Sequence, residues 1–349
     1  MLKEETIVRK ANAAKKLSVV IPCYNEVQAL PLLFDRLSAV AEKWPFSWEV
    51  IVVDDGSTDA SWQLLCGFHG LDPRWKAVRL ARNFGQQTAL WTGLKHATGD
   101  LVAVLDADLQ DPPEVLARFF PYWAEGYDVV YGVRKRRKES LWKRMAYFSF
   151  YRLLACLSEI AIPVDAGDFS IMDRRVVQTI LQSQEVDPYL RGIRAWVGFR
   201  QIGVPYQRQA RAVGKAKYTL RKLFRLAGNG IFSFSTRPLR LATHLGFLVS
   251  LGSFFGGMFT LVQRLFAEQF ARIGLRPVPG FATIVISIFF LGGVQLICLG
   301  ILGEYVGRIY ENVKGRPRFV VDEQLGFGRE APADAEPERL VSYARVRRP

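Results

Sequence analysis

Short apolar runs alternate with segments of helical periodicity over the first part of the chain. Residues 17–21, 48–53, 77–80 and 127–133, and the run that ends at Asp106, are short and apolar and predict strands. Apolar residues recur at helical spacing from Asn25 to about Glu42, and a second helix is predicted from Gln86 to about Ala97. The alternation predicts an α/β domain in which helices cover both faces of a mostly parallel sheet.

Two later segments are apolar over a length that would span a bilayer. Residues 241–263 and 281–303 contain no Asp, Glu, Lys or Arg, and each has 23 residues. At about 1.5 Å per residue, such helices are long enough for a hydrocarbon core of about 30 Å. The cations around the pair include Arg237, Arg240, Arg308 and Lys314, which favours cytoplasmic ends. Residues 264–280 would then be a non-cytoplasmic loop.

The remaining segments complete a linear plan of the chain. Residues 1–16 form an N-terminal tail without the apolar stretch of a signal peptide, and residues 17–218 form the predicted catalytic domain. Within it, residues 141–160 follow five consecutive cations and predict an interfacial amphipathic helix, with a core helix as the alternative. Residues 219–240 predict a juxtamembrane helix, and residues 304–349 a cytoplasmic segment and tail, loosely ordered beyond about Asp322.

The charge balance narrows the class of partner. Lys and Arg number 47 against 33 acidic residues, so a formal charge of +14 accompanies a 50% hydrophobic composition. This combination indicates an anionic partner, either a membrane or a nucleic acid. Because the cations cluster near the predicted membrane segments, we expect a membrane and no nucleic acid. The four cysteines lack C-x-x-C spacing, so neither a zinc site nor a disulfide framework is predicted.

Carboxylates follow two of the predicted strands. Asp54 and Asp55 end one strand, and Asp106 and Asp108 end another, where a β-strand would aim both side chains to one side. Parallel sheets bind ligands at the carboxyl ends of their strands. Mg²⁺ or Mn²⁺ bound by carboxylates and a substrate diphosphate would suit these acids, with Gln110 assisting. The alternative is a surface turn that follows a buried strand.

Three segments resemble the signature motifs of a known family. They are Val-Val-Ile-Pro-Cys-Tyr-Asn-Glu at 19–26, Val-Val-Asp-Asp-Gly-Ser-Thr-Asp at 52–59 and Asp-Ala-Asp-Leu-Gln-Asp-Pro-Pro at 106–113. The chain resembles family 2 glycosyltransferases, whose catalytic domain has the Rossmann-like GT-A fold. Within that family, residues 17–320 are similar to polyprenyl-phosphate glycosyltransferases, the enzymes like dolichol-phosphate-mannose synthase that carry two C-terminal membrane helices.

The resemblance implies roles for the three segments. Nucleoside contacts would come from Pro22, Tyr24 and Glu26, and contacts to base or ribose from Asp54 and Asp55. Asp106 would serve the nucleotide diphosphate and the catalytic centre, and Asp108 and Gln110 would bind the metal. Tyr24 has an alternative role, in which its ring packs against the sheet.

Later segments supply the remaining candidates by the same resemblance. Asp165 and Asp168 lie in a D-x-G-x-F-type segment beside the reacting centre, and Asp168 is the preferred base. A phosphate monoester with a second pKa of about 6 is largely dianionic at neutral pH, so these acids could instead orient the site. The diphosphate candidates are Arg211, Lys215 and Lys217, in a loop where Ala216 replaces the usual Ser, and the acceptor-phosphate candidates are Arg134 and Arg144.

The sequence therefore predicts an inverting transferase of the inner membrane. It would move one sugar from a nucleotide-diphosphate sugar, with UDP-glucose or a related UDP-sugar preferred, to polyprenyl (undecaprenyl) phosphate at the cytoplasmic face. The resemblance also implies a homo-oligomer formed through the membrane helices. One alternative is a processive polysaccharide synthase, although residues 191–196 depart from the Q-x-x-R-W motif of those enzymes. The other is a non-catalytic membrane scaffold that keeps the fold.

Overall fold

The computed structural model describes residues 16–134, 166–183, 188–209, 237–272, 274 and 280–328. These residues belong to two compact units. The first contains the described residues up to 209 and residues 315–328, and the second contains residues 237–272, 274 and 280–314.

The first unit is built on one eight-stranded sheet in the order β7-β5-β6-β4-β1-β2-β3-β8. Its strands are β1 (Lys16–Cys23), β2 (Ser47–Asp54), β3 (Trp75–Leu80), β4 (Leu101–Val104), β5 (Val129–Arg134), β6 (Ala166–Asp173), β7 (Gln201–Tyr206) and β8 (Val321–Leu325). Strands β4, β1, β2 and β3 run parallel to one another, and β5 is parallel to β7. Strand β6 lies antiparallel between β4 and β5. The sheet is mixed, with more parallel than antiparallel pairs.

Helices connect the strands of this unit. They are α1 (Leu30–Ala41), α2 (Ser61–Leu71), α3 (Gln86–His96), a 3-10 helix (Pro113–Arg118), α4 (Phe120–Ala124), α5 (Arg174–Leu181) and α6 (Leu190–Trp196). The first helix was predicted from Asn25 but begins at Leu30. The difference arises because Asn25 has a left-handed backbone with φ of 53°, which ends regular structure there.

The central strands are buried on both faces. On one face, Val19 and Ile21 of β1 belong to the same apolar cluster as Leu33 of α1, and all three side chains are fully buried. On the other face, a Cβ on Gly93 of α3 would lie only 2.2 Å from Cγ1 of Val20. Helix α3 therefore approaches β1 closely enough to require glycine, and layers on both sides explain the unbroken apolar run of this strand.

Strand β8 lies in the segment that the sequence predicted to be loosely ordered. That prediction is wrong for residues 322–325, which pair antiparallel with the edge strand β3. The backbone N–H of Ala81 donates to the carbonyl of Val320 at 2.9 Å. Arg318 donates to the carbonyl of Ser183, and its guanidinium lies 4.5 Å from the ring centroid of Trp91. The segment is ordered despite its polar composition, because its backbone forms hydrogen bonds with the otherwise exposed edge of the sheet.

The second unit consists of α7 (Arg237–Leu265), α8 (Ala267–Arg272) and α9 (Phe281–Val313). Two stretches, Ala242–Gln263 and Phe290–Val313, are long and apolar enough to cross a membrane, and neither is buried inside the structure. Helices α7 and α9 contain the two predicted spans. The second stretch extends beyond residue 303, where Arg308 pairs with Glu304 at 3.1 Å on the same helix.

Candidate active site

Four carboxylates meet at the carboxyl end of β4. Asp106 and Asp108 follow that strand, Asp111 lies in the same loop, and Asp168 comes from β6. Burial raises the pKa of Asp106 to about 7, and repulsion from the other three carboxylates adds to this effect. The sequence predicted the first two acids at this position, whereas Asp111 was not predicted.

A loop, and not the strand, presents this acid pair. Strand β4 ends at Val104, so the alternation of strand side chains does not orient Asp106 and Asp108 as the sequence analysis expected. The chain turns instead through Leu109, a buried residue with a left-handed backbone at φ of 56°. For a residue other than glycine, this conformation costs roughly 1–2 kcal/mol, so the surrounding contacts must stabilise it.

Contacts on both sides of Gln110 hold this loop. The backbone N–H of Gln110 donates to Asp108 Oδ1 at 3.1 Å, and its carbonyl accepts from the N–H of Gln209 at 2.9 Å. The fully buried Asp111 accepts hydrogen bonds from the Tyr206 hydroxyl and from Arg208 Nε, the latter at 3.1 Å. The end of β7 and the residues after it therefore position the predicted metal ligands.

The carboxylates at the end of β2 are held by backbone N–H groups. Asp55 accepts from the N–H groups of Phe84 at 2.7 Å and Gly85 at 2.9 Å. Burial raises the pKa of Asp55 to about 6, even though these hydrogen bonds favour the ionised form. Asp54 accepts from the N–H of Ser57 at 3.1 Å, and burial raises its pKa as well. Its Oδ2 atom is buried without a hydrogen-bond partner in the part of the chain that the structure describes.

The first predicted motif lies beside these two acids. The N–H of Asp55 donates to the carbonyl of Cys23 at 2.8 Å, and the N–H of Asn25 donates to Ser57 Oγ at 2.9 Å. Pro22 is buried within β1, and Glu26 donates its N–H to Ser61 Oγ at 3.0 Å. Tyr24 keeps 37% of its surface exposed. This exposure leaves ring surface that a base could cover.

Two adjacent glutamines connect the acids to α3. Gln86 Nε2 donates to Asp106 Oδ1 at 2.9 Å, and Gln87 Nε2 donates to Asp168 Oδ2 at 3.1 Å. Gln87 Oε1 also accepts from the N–H of Leu190, the first residue of α6, at 2.8 Å. The sequence analysis placed these residues in a helix without assigning them a role. The sequence signal that could have indicated a role is their position directly after Gly85, which is the turn glycine that follows β3.

Asp168 forms an ion pair with α6. Arg191 Nε lies 3.4 Å from Asp168 Oδ1, and its Nη2 lies 3.5 Å from Oδ2. Burial would raise the pKa of Asp168, but the Arg191 charge and hydrogen bond, together with Arg194 and Gln87, lower it. A carboxylate that remains ionised in this way accepts a proton weakly. Both roles of Asp168, base and orienting group, remain predictions.

Arg134 is the remaining described member of the predicted set. It ends β5, and its Nη2 atom lies 3.9 Å from Asp111 Oδ2. The other predicted site residues lie outside the described residues; they are Asp165, Arg144, Arg211, Lys215 and Lys217. Their roles remain predictions.

The negative charges of the clustered acids would favour binding of a divalent cation. Burial and mutual repulsion around Asp106 are costs that a cation beside Asp108 would relieve. Among the described residues, no group of three His, Cys, Asp or Glu side chains is arranged to hold a metal. A bound Mg²⁺ usually takes one or two oxygen ligands from the protein and the others from substrate phosphates and water.

Comparison with known proteins identifies the family. Residues 18–181 match the model of Glycosyl transferase family 2. The chain is 42% identical over 313 residues to the glycosyltransferase sll0501 of Synechocystis, covering 89% of this chain and 96% of that protein. The chain belongs to glycosyl transferase family 2. The predicted family is thereby confirmed, and the α/β sheet agrees with the GT-A fold that the resemblance implied.

One further relative and one solved structure that resemble the chain have names that state an activity. The chain is 38% identical over 307 residues to the bactoprenol glucosyl transferase of Shigella phage SfX, covering 88% of this chain and 98% of that protein. Among solved structures, glucosyl-3-phosphoglycerate synthase from Mycobacterium tuberculosis with Mn²⁺, UDP and glucosyl-3-phosphoglycerate is similar with a TM-score of 0.44. That similarity has 20% sequence identity and covers 66% of this chain and 81% of that one.

Proposed function

We propose that this glycosyltransferase moves one glucosyl residue from UDP-glucose to polyprenyl phosphate at the cytoplasmic face of the inner membrane. The observation that carries the proposal is a near full-length similarity to a bactoprenol glucosyl transferase. Two features of the chain support it, namely the carboxylate cluster at the end of β4 and the two exposed apolar helices. An apolar surface of that extent in a monomer requires a membrane or a partner to cover it.

The proposed reaction is a single displacement. An oxygen of the acceptor phosphate attacks the anomeric carbon, the bond from that carbon to the diphosphate oxygen breaks, and UDP leaves with the electron pair. The configuration at the anomeric carbon inverts. Because the attacking monoester is largely dianionic at neutral pH, no residue has to remove a proton from it. This chemistry agrees with an Asp168 that stays ionised and orients Arg191.

Different described residues would bind the nucleoside, the metal and the diphosphate. Asp54 and Asp55, together with the loop at 22–26, would hold the nucleoside. Asp108 and Gln110 would hold Mg²⁺ or Mn²⁺, which when bound supplies positive charge for the diphosphate. Asp106 would face the diphosphate, oriented by Gln86 at 2.9 Å.

A donor panel tests the proposal. Purified full-length protein is incubated with radiolabelled UDP-glucose, other nucleotide sugars, undecaprenyl phosphate, and Mg²⁺ or Mn²⁺. We expect label in the organic-extractable lipid, with UDP-glucose as the preferred donor and no transfer in excess EDTA. Polymer made without lipid acceptor would indicate a processive synthase, and nucleotide binding without product would indicate a scaffold.

A further inference from the structure

Three arginines from two elements converge on the Gly167–Asp168 segment of β6. Arg134 ends β5, and Arg191 and Arg194 lie on α6. A Cβ on Gly167 would lie 2.8 Å from Arg134 Nη2, and the Gly167 carbonyl accepts from Arg194 Nη1 at 3.4 Å. Arg191 pairs with the next residue, Asp168, at 3.4 Å. We call Arg134, Arg191 and Arg194 the arginine cluster.

Arg194 is the member of the cluster whose charge is costly to bury without an anion. Burial lowers the pKa of Arg194 to about 10, and repulsion from Arg191 adds to this effect. The pKa of Arg134 is instead raised, because its hydrogen bond with Tyr206 and the charge of Asp111 outweigh burial and the repulsion from Arg191. Arg194 is only 2% exposed, and its Nε and Nη2 atoms have no hydrogen-bond partner among the described residues. Burying a charged donor without a partner costs several kcal/mol in general. The ring of Tyr131, 4.8 Å from the Arg194 guanidinium carbon, offers only partial compensation.

The nearby carboxylates leave several guanidinium N–H groups of the cluster without short hydrogen bonds. The contacts from Arg191 to Asp168 are long, at 3.4 and 3.5 Å. The closest approach of Arg134 to Asp111 is 3.9 Å, and the buried Nε of Arg134 has no partner in the described part of the chain. A guanidinium has five N–H donors in a planar fork that matches phosphate oxygens. Arg134 and Arg191 are partly exposed, at 34% and 24%, so a ligand could reach them.

We infer that the arginine cluster binds the phosphate monoester of the lipid acceptor, an inference that rests on the proposed function. Arg134 and Arg191 contact the phosphate from two sides. Arg194 is a positioning residue behind them that adds buried positive charge. The two contacting arginines favour a dianion over the neutral hydroxyl of a free prenol. Arg191 thus joins Arg134 as an acceptor ligand, and the sequence analysis did not assign it that role.

The position of Arg191 suits an attacking phosphate. Burial would lower the pKa of Arg191, but the charge of Asp168 and, to a smaller extent, that of Asp106 raise it, so the guanidinium lies within the electrostatic range of both acids. Gln87 fixes the start of α6 against the same Asp168 carboxylate. A phosphate on Arg191 would therefore be held beside the acids that the proposed function places near the diphosphate.

Steady-state kinetics of full-length variants test the inference. With saturating UDP-glucose and varied undecaprenyl phosphate, we expect Arg191→Gln to raise the acceptor KM at least tenfold and to change the UDP-glucose KM less than twofold. Arg191→Lys should recover only part of the loss, because ammonium lacks the planar fork. The matched control is Arg74→Gln, a surface arginine that is 44% exposed and pairs with Asp72 and Glu42.

Direct binding separates this inference from the proposed function. Geranylgeranyl phosphate and geranylgeraniol are titrated into each protein without donor. We expect the wild-type protein to bind the phosphate at least tenfold more tightly than the alcohol, and Arg191→Gln and Arg194→Met to lose that preference. Wild-type transfer with unchanged acceptor KM and binding in Arg191→Gln would overturn the inference alone. No transfer and no prenyl-phosphate binding by the wild-type protein would overturn both.

Discussion

In the half of the sheet formed by β1 to β4, backbone N–H groups hold the Asp55 carboxylate, whereas in the half formed by β5 to β7, side chains hold Asp168. Backbone donors are fixed by the fold and stay in place when a side chain is replaced. A side-chain pair can exchange one partner for a ligand. The β1–β4 half is therefore suited to a constant nucleotide, and the β5–β7 half to an acceptor that replaces existing contacts.

The segment from Asn83 to Gln87, which leads into α3, joins the two halves. Its backbone binds Asp55, and the side chains of its last two residues reach Asp106 and Asp168. Gly56, with φ of 67°, lets the Asp55 turn approach this segment, since a Cβ there would lie 2.6 Å from the carbonyl carbon of Arg82. Substitutions on either side of the segment can therefore test whether the halves act separately.

The largest effect is expected at the acid pair that follows β4, where the two halves adjoin. Asp108→Ala should lower lipid glucosylation by at least about 100-fold, since it removes charge stabilisation of the leaving diphosphate. The measurement is label transfer with purified protein, with circular dichroism as a check on folding. Asp35→Ala, on the exposed face of α1, is the matched control. Undiminished transfer in Asp108→Ala would contradict the metal assignment.

The β1–β4 half should become less stable at acid pH, because the carboxylate of Glu49 is then protonated. Burial alone would raise its pKa, but hydrogen bonds from Lys16, Ser18, Lys76 and Thr98 lower it to about 2. The folded pKa lies below the unfolded value of 4.5, so the stabilisation is full above pH 4.5 and is lost as pH falls toward 2.

The loss should amount to about 3 kcal/mol in the free energy of unfolding, from 1.36 kcal/mol per pKa unit. Urea unfolding between pH 6 and 3 should show about 2 kcal/mol of this loss, because the folded carboxyl is fully protonated only below its pKa of about 2. The Glu49→Gln variant should be less stable at pH 6, and the difference from the wild-type protein should shrink as the pH falls. An equal difference at every pH would show that the Glu49 charge does not stabilise this half.

A pair of isosteric substitutions compares the two halves directly. Asp55→Asn replaces a charged acceptor of two N–H groups, and hydrogen bonds to charged groups contribute about 1.5–3 kcal/mol. A loss of that free energy corresponds to a rise in the UDP-glucose KM of roughly 10- to 100-fold, which is the change that we expect. Asp168→Asn should leave this KM nearly unchanged and impair use of the acceptor. If both variants raise the same KM, the division into nucleotide and acceptor halves is wrong.

The smallest effect is expected at the connection between the halves. Gln87→Ala removes the hydrogen bonds to Asp168 and from Leu190, each worth about 1 kcal/mol. We expect kcat to fall about five- to tenfold, because the Asp168–Arg191 pair loses its alignment, while the UDP-glucose KM stays unchanged. Gln63→Ala, on the exposed side of α2, is the control. A change in donor KM in Gln87→Ala would place its role in the β1–β4 half instead.

The sequence predicted the β1–β4 half more completely than the β5–β7 half. Its strands are near-continuous apolar runs, and Asp54, Asp55, Asp106 and Asp108 lie at or within four residues of strand ends, so local pattern located both the elements and the acids. In the other half, β6 and β7 were not predicted as strands. The antiparallel position of β6 between β4 and β5 depends on pairing between distant segments, which no local period reveals.

The amino-acid sequence by itself determined the parallel strands of the β1–β4 half, the positions of their acids, the two apolar helices and the family. These properties depend on periodicity, local composition and motif order, which neighbouring residues encode. Only the tertiary structure decided that Gln87, Asp168 and Arg191 meet, that Arg194 is buried beside them, and that β8 closes the β3 edge. Such contacts join residues far apart in the chain, because the packed fold, and not the local sequence, decides which distant groups a buried charge or an open strand edge meets.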